Sequence, residues 1–180
     1  MDVLTGGYQP KNFPAGIGFF QVGVFALMLL GSLNFHFHYN LFSLKLNSLF
    51  TPEIKCYLKI IVATTVAITI LAFMNPFDSL FHVVSMASST GISYINLAAT
   101  SAAAKILFIL IGLAGGCAFS MAGGIRMRRI QQLASALRKN SDQPTREELK
   151  SILIFIIGFV AILLALSLAF STIGITFIDS

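Results

Sequence analysis

The chain has 180 residues, of which 56% are apolar and only 11% charged. A soluble domain carries about 25% charged residues, so the polar skin that a water-facing core of this size needs is missing. The formal charge is +5, and its placement is uneven. Lys45, Lys55 and Lys59 form one group, and Arg126, Arg128, Arg129, Arg138, Lys139, Arg146 and Lys150 form another; only Lys11 and Lys105 lie elsewhere. Basic residues that flank membrane spans normally mark the cytoplasmic side. That reading outweighs a nucleic-acid surface, and no nucleic-acid partner is expected.

Charge-free runs set the class. Residues 12–44, 60–77, 79–104, 106–125 and 151–178 contain no Lys, Arg, Asp or Glu. A spanning helix needs about 20 mainly apolar residues, and several runs reach that length. The expected fold is therefore an all-α polytopic membrane protein with about four spans. No signal peptide is expected in the opening residues, because Lys11 sits among Pro10, Asn12 and Pro14.

In chain order, the first span is expected from about Ala15 to Phe37, ending among Asn34, His36, His38 and Asn40. Thr51-Pro52-Glu53 then reads as a helix start, with Thr as N-cap, Pro at the first position and an acid in the first turn. The second span runs from about Tyr57 to Phe73 and is stopped by Asn75-Pro76. Asp78 to Ala87 is too short to span and suits a re-entrant helix, leading into Ser88-Ser89-Thr90-Gly91. A third span is expected from about Ala102 to Ile125, with Gly112, Gly115, Gly116, Gly123 and Gly124 in its middle. Such glycines mark either a broken loop lining a cavity or a closely packed helix. Residues 126–150 are basic and polar. Thr145 with Glu148 forms a capping box for a last helix from about Glu147 to Ser171.

Orientation follows if 45–59 and 126–150 are cytoplasmic. Spans one and three then run inward, spans two and four run outward, and the re-entrant helix enters from outside. An internal repeat supports this plan. Gly7 and Gly31 are 24 residues apart, as are Gly91 and Gly115, and Phe35 and Phe119 share the 84-residue offset of these glycines. The repeated unit is span, re-entrant helix, Thr-Gly turn, span, which is the plan of a cation-channel-like pore subunit. A dehydrated cation needs oxygens in place of its water shell, and backbone carbonyls supply them. Glycine lets the chain leave helix and strand geometry at low steric cost. Thr5, Gly6 and Gly7 and then Ser89, Thr90 and Gly91 are the candidate filter residues; ordinary turns are the alternative.

These residues resemble a known family. Leu29 to Tyr39 is similar to the second-repeat inner helix of the Trk/Ktr potassium transporters. The stretch Gly115-Gly116-Cys117-Ala118-Phe119-Ser120-Met121-Ala122-Gly123-Gly124-Ile125-Arg126 resembles the glycine-rich break of the third-repeat inner helix. The family pattern there reads GGCAGSTAGGIK, so Phe119 replaces a small residue, Met121 replaces Thr and Arg126 replaces Lys. The resemblance implies four repeats around one pore that carries potassium as its transported ligand, with no cofactor. It implies that Gly7 and Gly91 contribute carbonyls and that Gly115 to Gly124 form a gate loop beneath the filter. It also implies a homodimer in the cell membrane and a cytosolic nucleotide-binding regulatory subunit.

On this reading, residues 1–44 end the second repeat, 45–56 and 131–146 are cytoplasmic connectors, and 57–130 are the third repeat. Residues 147–180 are the first span of a fourth repeat, because Ile178-Asp179-Ser180 looks like the start of another re-entrant helix. The chain is therefore expected to be incomplete and to need the remaining repeats. A secondary transporter of another fold, with a broken-helix substrate site at 115–124, is the alternative. No nucleophile–base pair, phosphate loop or metal-spaced cluster appears, so no enzyme is expected. His36 and His38 are two residues apart and point to different helix faces; interfacial roles outweigh metal ligation. His82 is read as packing or locally hydrogen-bonded, Lys105 as snorkelling to the interface, and Cys117 as a buried inert thiol.

Overall fold

A computed structural model describes residues 19–45, 49–95, 97, 100–138 and 145–172. The first candidate filter segment, Thr5, Gly6 and Gly7, lies outside the described residues, as does Ile178-Asp179-Ser180. Seven helices are present among the described residues: α1 (Phe19–Ser32), α2 (Phe35–Phe42), α3 (Pro52–Ala72), α4 (Pro76–Ala87), α5 (Ala102–Ala114), α6 (Met127–Arg138) and α7 (Arg146–Thr172). No strand occurs among them. The protein is an all-α polytopic membrane protein. Two helices, α3 and α7, are long and apolar enough to cross a membrane, or three if α1 and α2 count as one bent span.

The chain divides into two compact units near Arg128. In the first, α4 is the hub, packed against α1, α3 and α5. Its side chains Ser79, Phe81, His82, Val83, Val84, Ser85 and Ala87 are buried, as expected of a helix enclosed on all sides. Twelve residues give a length of about 18 Å, well short of the roughly 30 Å hydrocarbon core.

Helix α3 begins where its sequence dictates. Thr51 is the N-cap, its hydroxyl accepts from the Ile54 amide at 3.4 Å, and Pro52 fills the first turn. Phe73 ends the helix in the left-handed region at φ 51°. One stripe, Ile54, Tyr57, Ile61, Thr65 and Ile68, is buried. The opposite stripe, Val62, Val66 and Ile70, is exposed and equally apolar. A surface in water would carry charges there; an apolar face on both sides fits lipid on the outer one.

The expected first span is interrupted. Helix α1 stops at Ser32, and α2 leaves it at 108°. Asn34 is extended at φ −69°, ψ 151°, and its side chain accepts from the Phe37 amide at 2.9 Å, capping α2. The apolar run therefore continues past the point where the helix ends, and His36, His38 and Asn40 belong to α2 rather than to a tail. His38 Nε2 lies 3.1 Å from the Leu30 carbonyl. The expected third span is interrupted as well: α5 ends at Ala114 and α6 begins at Met127. Helix α6 crosses the boundary drawn at 130 between the third repeat and its connector.

The second unit holds α7 and all but the start of α6. The Glu148 carboxylate accepts from the Thr145 amide at 2.9 Å, one half of a capping box. The Arg129 guanidinium stacks 3.7 Å above the Phe155 ring. Ile154, Ile157, Ile162, Leu164 and Leu168 leave α7 exposed and apolar around much of its circumference.

The exposed stripe of α3 makes a prediction. Val66→Arg should lower the membrane-inserted fraction, since an Arg at a span centre costs about 2.5–3.5 kcal/mol on the insertion scale. Val66→Leu should leave it unchanged. Glycosylation mapping of α3 in microsomes reads both.

Candidate functional site

The second candidate filter segment follows α4 directly. Ser88 caps the helix through its amide to the Val84 carbonyl at 2.9 Å. Ser89 and Gly91 then adopt left-handed backbone, at φ 61° and 66°. The amides of Thr90 and Gly91 both turn back to the Ser85 carbonyl, at 3.2 and 3.3 Å. All described peptide bonds are trans, and in a planar trans peptide the preceding carbonyl points opposite to the N–H. The Ser89 and Thr90 carbonyls are therefore directed away from α4. Ile92 is held the other way, its carbonyl accepting from the Ser85 hydroxyl at 2.7 Å.

Hydroxyls brace this turn from behind. Ser88 Oγ donates to the Ser85 carbonyl at 3.1 Å and lies 3.0 Å from Thr90 Oγ1. Thr90 Oγ1 also reaches Met28 Sδ of α1 at 3.0 Å. The negative end of the α4 dipole faces the turn, an arrangement that favours a cation.

The chain then runs back along α4. The Tyr94 hydroxyl donates to Asp78 Oδ1 in the first turn of α4 at 2.6 Å. Asp78 Oδ2 accepts from Asn75 Nδ2 at 3.1 Å. The Tyr94 ring packs against Phe81 and His82, with centroids 5.0 and 4.7 Å away. The Ile92 carbonyl lies beside Ser85 and the Tyr94 side chain reaches Asp78, so the chain after the turn runs back toward the start of α4 and forms a hairpin with it. His82 is indeed locally bonded, Nδ1 to the Asp78 carbonyl at 2.7 Å. Beyond the hairpin, the Ser101 hydroxyl at the start of α5 donates to the Leu71 carbonyl at the end of α3 at 3.1 Å.

The glycine-rich stretch forms a loop from Gly115 to Arg126. Its two ends pair: the Ile125, Arg126 and Met127 amides donate to the Leu113, Ala114 and Gly116 carbonyls at 2.9, 3.0 and 2.9 Å. Gly115 at φ 70° and Gly124 at φ 88° need left-handed backbone, and a Cβ on Gly115 would overlap the Gly123 carbonyl. Phe119 adopts φ 57°, a conformation unfavourable for a bulky residue, and its ring is exposed, as is Met121. The Ser120 hydroxyl closes an inner turn on the Cys117 carbonyl at 2.7 Å, and Ala122 donates back to it at 3.3 Å. Cys117 is a buried free thiol, and Cys56 is half-buried and free.

This loop touches three neighbours. The Gly123 amide donates to Ser89 Oγ at 3.1 Å, joining it to the turn after α4. The Cys117 and Met121 amides donate to the Ser32 and Gly31 carbonyls at 3.0 and 3.1 Å, and the Phe35 amide donates to the Phe119 carbonyl at 3.0 Å. Glu53 Oε1 accepts from the Ala118 amide at 2.5 Å. The structure thus brings Ser89, Thr90 and Gly91 together with Gly115 to Gly124. Three contributors have little signal in the sequence. Tyr94 and Ser85 gain their partners only through the hairpin, and Glu53 looks like an ordinary first-turn acid.

No family model matches the chain. It is 27% identical over 141 residues to an uncharacterized cation transporter of Methanocaldococcus jannaschii, covering 75% of this chain and 28% of that protein. It is 26% identical over 146 residues to the Trk system potassium uptake protein TrkH of Salmonella typhimurium, covering 71% of this chain and 29% of that protein. The chain therefore spans less than a third of the length of either relative. Both similarities lie with membrane cation transporters.

The loop geometry separates two kinds of glycine. Gly115→Ala should destabilise the detergent-solubilised protein by about 1–3 kcal/mol, from left-handed strain and from the overlap with Gly123. Gly23→Ala, inside α1 with open space around its Cβ position, should be neutral or stabilising by up to about 1 kcal/mol. Thermal melting of the two variants side by side measures the difference.

Proposed function

We propose that this chain forms part of a potassium-conducting pore of the Trk/Ktr type. The observation that carries the reading is the α4 hairpin, whose returning segment brings the Tyr94 hydroxyl back to Asp78 while Ser89 and Thr90 direct carbonyls away from the helix. A buried short helix, a glycine-permitted turn and outward carbonyls are the parts a dehydrated cation needs. The distant likeness to two cation transporters supports the same substrate class. In this reading Ser89, Thr90 and Gly91 form one filter segment, and Thr5, Gly6 and Gly7 form another. Further repeats complete the ring of oxygens. Cells would carry the protein in the plasma membrane, with 45–59 and 126–150 cytoplasmic, as a homodimer on a nucleotide-binding regulatory subunit.

The loop from Gly115 to Gly124 would act as the gate. It lies against Ser89 on one side and against Glu53, at the far end of α3 from Leu71, on the other. Contact with both the turn after α4 and the Glu53 end of α3 supports that reading. A secondary transporter would also use broken helices, but its spans would carry residues 78 and 94 to opposite faces. Single cysteines at positions 77 and 94, labelled by impermeant maleimide in oriented vesicles, separate the two. Labelling of both from the outer side is expected; labelling from opposite sides would sink the pore reading.

The filter assignment has its own test. Gly91→Ser should leave insertion intact and reduce the preference for potassium over sodium, because a Cβ at φ 66° strains the turn and moves the coordinating carbonyls. Competition of sodium with rubidium uptake reads this. An unchanged ion preference at normal expression would remove Gly91 from the filter.

A further inference from the structure

The loop is held by two kinds of link. Most are backbone to backbone, made to Gly31, Ser32 and Phe35. Two are made by side chains, Ser89 to Gly123 and Glu53 to Ala118. The Glu53 link is the one involving a charged group among the hydrogen bonds described for this loop. It joins residues 65 positions apart. Hydrogen bonds to charged groups are stronger than neutral ones.

We propose that Glu53 is a latch that holds the glycine-rich loop in its closed position. The inference rests on the reading of that loop as a gate. Glu53 sits in the first turn of α3, and the capped helix start at Thr51 and Pro52 fixes its place. The other tie by a side chain, from Ser89, comes from the turn after α4. The loop is thus strung between the filter turn and the cytoplasmic end of α3. A swing of the loop away from that end breaks the bond at Ala118 together with the flanking backbone bonds of Cys117 and Phe119, and the Glu53 bond adds to their hold. Glu53 also lies at the end of the basic connector, close to Lys55 and Lys59. A movement of that connector would be transmitted to the loop through this carboxylate. Glu53 is a positioning residue in this account and does not coordinate the ion.

Cys117 gives a direct readout, because it is buried and adjoins Ala118. The experiment uses the protein as its gene encodes it, in membranes, with Cys56→Ser to silence the second thiol. Reaction of Cys117 with maleimide should quicken about tenfold or more in Glu53→Ala, the loss expected for a bond to a charged acceptor. Glu53→Gln keeps an acceptor oxygen and should show a smaller increase at an unchanged melting temperature. Rubidium flux should rise in the same order. If Cys117 reactivity is unchanged in both variants, or rises only in step with a fall in melting temperature, the latch is overturned while the pore reading stands. If reactivity rises in the expected order but no variant conducts any cation, the latch is supported and the pore reading fails.

Discussion

Twelve consecutive residues, Gly115 to Arg126, leave helical geometry in a chain built for an environment that offers backbone groups no water. Each amide and carbonyl freed there needs a partner within the protein. Three of the partners come from the other place where helix is broken. Helix α1 ends at Ser32, leaving its last carbonyls without intrahelical donors, and the loop supplies amides from Cys117 and Met121 to Ser32 and Gly31. Helix α2 starts at Phe35, whose amide would be an orphan of the same kind, and Phe119 supplies the carbonyl. Two interruptions that would be costly singly satisfy each other. The bend between α1 and α2, the course of the loop and the place of α4 between α1 and α5 all follow from that exchange.

The exchange also has an internal symmetry. Gly31 and Gly115 share the 84-residue offset of the repeat, as do Phe35 and Phe119. Helix α1 ends at Ser32 and α5 at Ala114, close to these two glycines, and Phe35 and Phe119 meet through a backbone hydrogen bond. The halves then diverge. After Gly31 the chain resumes helix within a few residues, because Asn34 caps α2. After Gly115 it travels a full loop before α6, because Gly123 and Gly124 let it fold back on the end of α5.

Much of this was legible in the sequence, for local reasons. Thr51-Pro52-Glu53 announces α3 through cap chemistry. Asn75-Pro76 and Asp78 bound α4 because proline suits the first turn and an acid favours the positive end of the helix. Four glycines within ten residues weaken any helix from Gly115 to Gly124. The break at Leu33–Asn34 was not legible, and an unbroken span from Ala15 to Phe37 was expected. The local signal is slight, a lone Asn34 that caps α2, and the end of α1 is stabilised by amides from a loop more than eighty positions later. Tyr94 is a similar case. Its role depends on the chain turning back along α4 after Gly91, and only then does its hydroxyl find Asp78.

The strength of the loop's links is uneven, and the unevenness has a direction. Toward the α1–α2 break the bonds are backbone to backbone and form a short continuous set that side-chain chemistry does not easily disturb. Toward the turn after α4 and toward α3, single side chains hold single amides. The bonds of Cys117, Phe119 and Met121 to Ser32, Phe35 and Gly31 hold the middle of the loop, with Ala118 inside it, and Glu53 and Ser89 add single side-chain ties at Ala118 and Gly123. Phe119, at a left-handed φ of 57° and with its ring exposed, sits in that middle, where three backbone bonds hold the strain in place. Twelve non-helical residues are thereby kept in order without a helix of their own, because the break between α1 and α2, the turn after α4 and the first turn of α3 each give them partners.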